Sequence, residues 1–298
     1  YILSGNYKSD LDAHIEAKSD TESKTLGHDG VGVGILNFSN GTIHAQVGDY
    51  QDGGSTAKPQ HAEAGVKSGE LESRGNITID AIISSNVTAK LVSSYIWVGL
   101  VAAQEKNNIP TRTFTKAVVN IGENARINAD GNIDIYAKTN SSAEAFLDSG
   151  CVGLVVGAEN KKPTNEVIQT VRIEIGKNAQ ISADGDVNIY TGADADVETT
   201  AYIDAGGLVG SGKITAKSII KRDVNIIIHS QALIASNRAG VYIGAKSGEN
   251  DRIETLANAG SGGFISAGNE LLTESTYISS ADVNIYRAAS VVAEGNVS

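Results

Sequence analysis

Apolar residues fall at alternate positions through most of this chain. Val119 and Ile121, then Ala125, Ile127 and Ala129, then Ile133, Ile135 and Ala137, then Ala143, Ala145 and Leu147 are each separated by single, mostly polar residues. That is the period of a strand with one dry and one wet face. The same order returns in Val171, Ile173, Ile175, Ala179, Ile181, Ala183, Val187 and Ile189, with Arg172, Glu174, Gln180, Ser182 and Asn188 on the opposite parity. Segments of about five residues are punctuated by Gly-Glu-Asn, Ala-Asp-Gly and Gly-Lys-Asn. These tripeptides suit tight turns because Gly and Asn accept left-handed backbone angles. No interval sustains a helical period, so helices between the strands are not expected.

The stretches IGENARINADGNIDIYAK (121–138) and IGKNAQISADGDVNIYTG (175–192) share one skeleton, and Ile135, Ile189 and Ile243 recur at the same interval. GNITIDA (75–81) is an earlier copy of GNIDIYA (131–137), DVNIYRAAS from Asp282 a later copy of DVNIIIHSQ from Asp223, and AHIEAKSD from Ala13 resembles IDIYAKTN. Repetition at such a period marks a solenoid. The expected fold is all-β, a right-handed parallel β-helix running as one unit over residues 1–298, with repeats near 66–118, 119–172, 173–223 and 224–282. About six strands per repeat suggest two coils of roughly 27 residues with about three strands each, and about ten or eleven such coils make a rod on the order of 50 Å long. The stretches 48–65, 104–114 and 158–167, which hold all three prolines, are expected to protrude as loops and, with the outward strand positions, to meet any partner.

Composition narrows the function. Aromatic residues are only 5% of the chain, so the core is built from Val, Ile, Leu and Ala, which fill narrow, evenly layered interiors. A formal charge of −11 argues against nucleic acid as a partner, since affinity for phosphates comes from Lys and Arg. The longest apolar run, around Tyr95 to Ala103, is about half of what a membrane-spanning helix needs, so no transmembrane segment is expected. Cys151 is alone, which excludes an intramolecular disulfide, and it reads as a small buried hydrophobe where other copies carry a small residue. The lack of Met, even at position 1, and a start in mid-pattern suggest a piece excised from a longer protein.

The unit A-x-I-x-A-D-G-[ND]-[IV]-x-I-Y, preceded by [VI]-x-I-G-x-N and followed by an Ala-rich and then a Gly/Val-rich segment, resembles the repeats of large bacterial filamentous adhesins. These are the haemagglutinin-like exoproteins of two-partner secretion, among them the fusobacterial leukotoxin-type adhesins. The core motifs lie between Val118 and Val241, with looser versions over most of the chain. The resemblance implies a secreted passenger rod, exported through an outer-membrane transporter and displayed on a Gram-negative-type cell surface. It also implies attachment to a host-cell receptor, a glycan or another bacterium. The resemblance supplies no catalytic residue and no cofactor, and the family's N-terminal secretion domain is not among these residues.

Several constellations invite a chemical reading. Asp194, Asp196 and Glu198 in ADADVET share a strand face if Ala193, Ala195 and Val197 point inward, and three aligned carboxylates are calcium chemistry. Against this stands a solvated acidic stripe, and Ser142, Glu144 and Phe146 of the preceding copy do not preserve it. Asp130-Gly131 and Asp184-Gly185 are explained by turns. Gly30 to Gly34, GVGVG, lacks the spacing and following helix of a dinucleotide fingerprint. Tyr95 and Trp97 are the large aromatic cluster, placed to stack on a sugar ring or to pack beneath a loop. His14, His28, His44, His61 and His229 fall in unrelated contexts without a nucleophilic partner. The expectation is a non-enzymatic adhesin segment. The alternative is a carbohydrate-active β-helix enzyme, a polysaccharide lyase or hydrolase, whose paired carboxylates must meet in one cleft.

Overall fold

An alternating strand buries one face only if something covers it, and here the cover is the same strand one repeat later. In the computed structural model, which describes residues 2–29, 36–39, 44–48, 58–96, 101–104, 108–262 and 265–298, the described residues form strands and turns and no helix. Every strand pairing is parallel, and the pairings join all the strands into one continuous ladder. This is the arrangement of a β-helix or solenoid. Ile15 pairs with Ile79, Ile79 with Ile135, Ile135 with Ile189 and Ile189 with Ile243, so one column of the core is isoleucine for five tiers. Ile79, Ile135 and Ile189 are fully buried.

The turn of the winding is a whole repeat, not half of one. Residue i lies beside the residue 53 to 57 positions on in the later tiers, and 63 to 66 positions on in most of the first. The expectation of two coils to each repeat is therefore corrected to one. The column Ala13, Ile77, Ile133, Val187, Val241, Val297 spans the chain in five steps. At about 4.8 Å per step the stack rises only about 24 Å.

Each turn encloses two shapes. Three short sides, such as Val171 to Ile175, Gln180–Ala183 and Val187 to Ala193, enclose one continuous cluster. The chain then runs outward as a two-layered arm, so that Ala201 and Ile203 on the outgoing leg share a cluster with Ile214 on the returning leg. What sequence periodicity counts as a second coil is this out-and-back excursion. Residues 108–114 and 161–167, expected in protruding loops, belong to the returning leg, and Ile109, Thr111, Thr113, Lys161, Asn165 and Val167 are buried there. Residues 49–57 lie outside the described residues. Register alone marks an insertion there, since Val47 pairs with Thr113 and Gln60 with Thr115.

Two polar rungs cross the interior of the arm. Thr115, Gln169 and Arg222 stack in one inward column and face the column of Ser85, Ser141 and Ala195. Gln169 donates from Nε2 to the Ser141 hydroxyl (3.0 Å) and the Asp194 carbonyl (2.8 Å). Farther out, Asn165 donates to the Thr199 hydroxyl (2.7 Å) and the Glu198 carbonyl (2.6 Å), and Thr199 meets Ser218 at 2.8 Å. Between the rungs sits a small apolar cluster of Ala143, Val167, Ala195, Val197 and Ile220. A buried polar group without a partner costs roughly 1–3 kcal/mol, so rungs that satisfy one another also fix how the two legs face.

The corners repeat as strictly as the core. At Gly122 to Ala125, Gly176 to Ala179, His229 to Ala232 and Tyr286 to Ala289, the fourth residue donates its N–H to the first carbonyl, at 3.1 to 3.3 Å. The third residue is left-handed in each: Asn124 (φ 59°), Asn178 (58°), Gln231 (63°) and Ala288 (67°). At the next corner the Asp-Gly glycines are not left-handed. There Asn76, Asn132 and Asp186 each accept the next tier's N–H on Oδ1, from Asn132 (2.8 Å), Asp186 (2.9 Å) and Gly240 (2.8 Å). A Cβ on Gly185 would lie 2.1 Å from the Asn132 Oδ1 of this ladder, so these glycines serve close approach. Ala288 carries the left-handed cost of about 1–2 kcal/mol without the local hydrogen bonding that helps Asn. Ala288→Gly is expected to stabilise by about 0.5–1 kcal/mol after glycine's own entropic cost, read as a rise in urea midpoint at unchanged slope.

Candidate functional site

Where the chain leaves the triangular body for the arm, every tier bends in the same place and the bends line up. The result is a groove of about 700 Å³ on the outer wall, running across the strands. One wall is the column Asp20, Ser84, Asn140, Asp194, continued by Asn250. The other is Glu22, Asn86, Ser142, Asp196. Between them Ser85 and Ser141 form a buried floor, hydrogen-bonded to each other at 3.0 Å. Four steps of about 4.8 Å make the groove about 19 Å long.

The charges in the groove are mostly paired. Asp20 lies 3.3 Å from Lys18, Asp194 lies 3.8 Å from Lys138, and Asp196 lies 3.9 Å from Arg252. Asp194 also accepts from the Asn250 backbone N–H (3.1 Å) and carboxamide (3.3 Å). Beneath the groove, Asp251 accepts the Ala195 N–H at 2.8 Å and pairs with Arg222, tying the bend to the inner rung. The Asn86 and Asn140 side chains are exposed in the groove and, among the described residues, hydrogen-bond to no other group, while their backbones belong to the ladder.

No family model, curated protein or solved structure matches the chain.

Of the carboxylates singled out by sequence, Asp194 and Asp196 line the groove and Glu198 continues along the outgoing leg beyond it. Residues two apart on an extended strand stand about 6.6 Å from one another, whereas calcium ligands reach about 2.3–2.6 Å to a shared ion. Among the described residues no three His, Cys, Asp or Glu side chains are grouped closely enough to hold a metal ion. Tyr95 is the penultimate residue of a described strand and lies beside Cys151, but its side chain, the Cys151 side chain, Trp97 and Gly30 to Gly34 lie outside the described residues. The register corrects one detail: the column of Cys151 holds Ala205 on one side and Tyr95 on the other, so it is not uniformly small. His14, His61 and His229 each lie near a carboxylate, of Asp80 (3.2 Å), Glu63 (3.9 Å) and Glu174 (2.7 Å), and His229 also stacks on Tyr286. The His28 side chain is outside the described residues, and the His44 carbonyl accepts the Thr25 hydroxyl at 2.9 Å.

Among the described residues the one large pKa displacement lies beside the groove's wall. Burial first, then the neighbouring Asp134 carboxylate that accepts its hydroxyl at 3.0 Å, pushes the Tyr136 phenol up to about 12. Tyr136 thus remains a neutral donor throughout the physiological range.

Sequence reasoning missed the groove because it is made by a bend, and parity does not encode bends. It also missed the rungs, although a signal existed. Gln169 and Arg222 sit two residues before Val171 and Val224, on the inward parity, where a long polar side chain must find partners inside.

Proposed function

We propose that this chain is a rod segment of a secreted, surface-displayed bacterial adhesin, of the filamentous haemagglutinin-like kind exported by two-partner secretion, and that its stacked turns form a right-handed β-helix. The observation that carries this reading is the division of labour between the faces of the strands in the three-sided body and at the bend. The inward columns of the body repeat β-branched or small apolar residues tier after tier, as Ile77, Ile133, Val187 and Val241 do. The outward columns at the bend change from tier to tier, as Asp20, Ser84, Asn140 and Asp194 do, and there they form the groove. A wall of that kind holds a contact surface at fixed spacing while its interior supplies the stiffness. The partner is a host-cell receptor, a glycan or another bacterial surface.

A second reading, a carbohydrate-active enzyme, is favoured by the presence of Asp194 and Asp196 in one groove. Immobilised protein tested for attachment to epithelial and bacterial cells, alongside a polysaccharide-cleavage screen, separates the two. Stable attachment without new reducing ends is the expected result. Turnover without retained binding would overturn the adhesin reading.

A further inference from the structure

We infer that the groove at the bend binds an extended, uncharged glycan laid along the stacking axis. The inference rests on the reading of outward faces as contact surfaces, and names the ligand class of one of them. Three physical features lead to it.

The first is direction. The groove runs across the strands, whose backbone N–H and C=O groups on the middle tiers already pair with the tiers on both sides. A peptide cannot add to it as a strand, which removes the main-chain hydrogen bonds that give such peptides their affinity. Recognition must come from side chains.

The second is charge. Asp20, Glu22, Asp194 and Asp196 face a polyanion with repulsion, and Lys138 is the lone cation among the described lining residues. Sulfated or uronate chains and nucleic acids are disfavoured accordingly. A polycation gains little, because Asp20, Asp194 and Asp196 already lie against Lys18, Lys138 and Arg252.

The third is the hydrogen-bonding inventory. The uncommitted carboxamides of Asn86 and Asn140 both donate and accept, and the Ser84 and Ser142 hydroxyls do the same. Such groups match sugar hydroxyls, and they recur at about 4.8 Å, close to the advance of one hexose in an extended polysaccharide. None of the described lining residues is aromatic, so affinity is expected to be modest and to gain from repetition along a longer rod.

The test is calorimetric titration of the whole chain with cellohexaose, chitohexaose, laminarihexaose and mannohexaose, and with a heparin hexasaccharide and hexalysine. At least one neutral hexasaccharide is expected to bind with Kd below about 1 mM. Asn86→Ala with Asn140→Ala, two exposed positions, is expected to weaken that binding at least about tenfold with an unchanged urea midpoint. Binding by none of the neutral sugars, tighter binding of either charged probe, or full affinity in the double variant would each overturn the inference. The attachment assay keeps its failure distinct: cells held by a chain that binds no hexasaccharide refute the glycan groove alone, whereas a chain that holds no cells refutes the adhesin reading.

Discussion

Asp251→Ala is expected to destabilise the protein by about 3–5 kcal/mol, the range for removing one partner of a buried ion pair. The Arg222 side chain is fully buried, and each of its three guanidinium nitrogens donates a hydrogen bond. Nη1 donates to Asp251 Oδ2 (2.5 Å), Nη2 to Asp251 Oδ1 (2.6 Å) and Nε to Gln169 Oε1 (2.6 Å). The Tyr277 ring lies 5.7 Å from it. Arginine cannot shed its proton in response to burial, so without Asp251 a full charge is left inside the arm, and the Ala195 N–H loses its acceptor as well. The double change Arg222→Gln with Asp251→Asn removes both charges and retains amide partners, so it is expected to cost less than half as much. A urea titration reads the total. Because stacked turns lose cooperativity between distant tiers, amide exchange should rise first in 212–222 and 252–262 and last in Ile133 to Leu147. Equal loss of protection in all three segments would show that the rung does not act locally. A single variant no weaker than the double would show that the ion pair is not what secures the legs.

That rung also marks the limit of what the sequence discloses. Period-two parity names the inward face: every residue from Val119 to Leu147 read as inward is buried, and Ile135, Ile189 and Ile243 lie in one column. Parity is a local property of a strand. It is unchanged by a slip of two residues, and this explains the mispairing of Asp223 with Asp282 by motif. In the structure Asp223 lies beside Ser280, while Asp282 lies beside Asn225. Nor does parity say whether the alternating stretch of one repeat closes a single large coil or two small ones. That depends on where the chain reverses, at the tip of the arm, and on which leg covers Ala201 and Ile203. The same blindness turned the proline-bearing returning leg into an expected loop, although Pro163 pairs with Ile109 inside the ladder. The calcium reading of Asp194, Asp196 and Glu198 had their common face right. What it lacked was the bend that puts the first two into a groove with Asn86 and Asn140 from tiers below.

Gly122→Ala is expected to destabilise by about 3 kcal/mol, at the upper end of the range for overpacking, because what it meets is backbone. A Cβ at Gly122 would lie 1.9 Å from the Lys67 carbonyl oxygen and 2.7 Å from its carbon. Gly122 donates its own N–H to the Val66 carbonyl at 2.8 Å, so the tiers cannot separate to admit the methyl without losing that bond. Gly176, one tier up, donates likewise to Ile121 (2.7 Å), and its Cβ would approach the Glu123 nitrogen and the Gly122 carbonyl carbon at 2.7 Å. The same corner carries His229 and then Tyr286 in the next two tiers, each with the equivalent N–H bond intact at 2.9 Å. Their rings stack at 5.4 Å between centroids with planes 5° apart. The corner therefore accepts a side chain where the carbonyl beneath is turned to allow it, and gains an aromatic contact in return. Gly176→Ala should accordingly cost less than half of what Gly122→Ala does, although the two glycines are identical in local sequence pattern. Urea midpoints of the two variants decide the matter. Equal losses would mean that the requirement for glycine is set by the turn itself, whereas the expected inequality places it in the distance to the tier below.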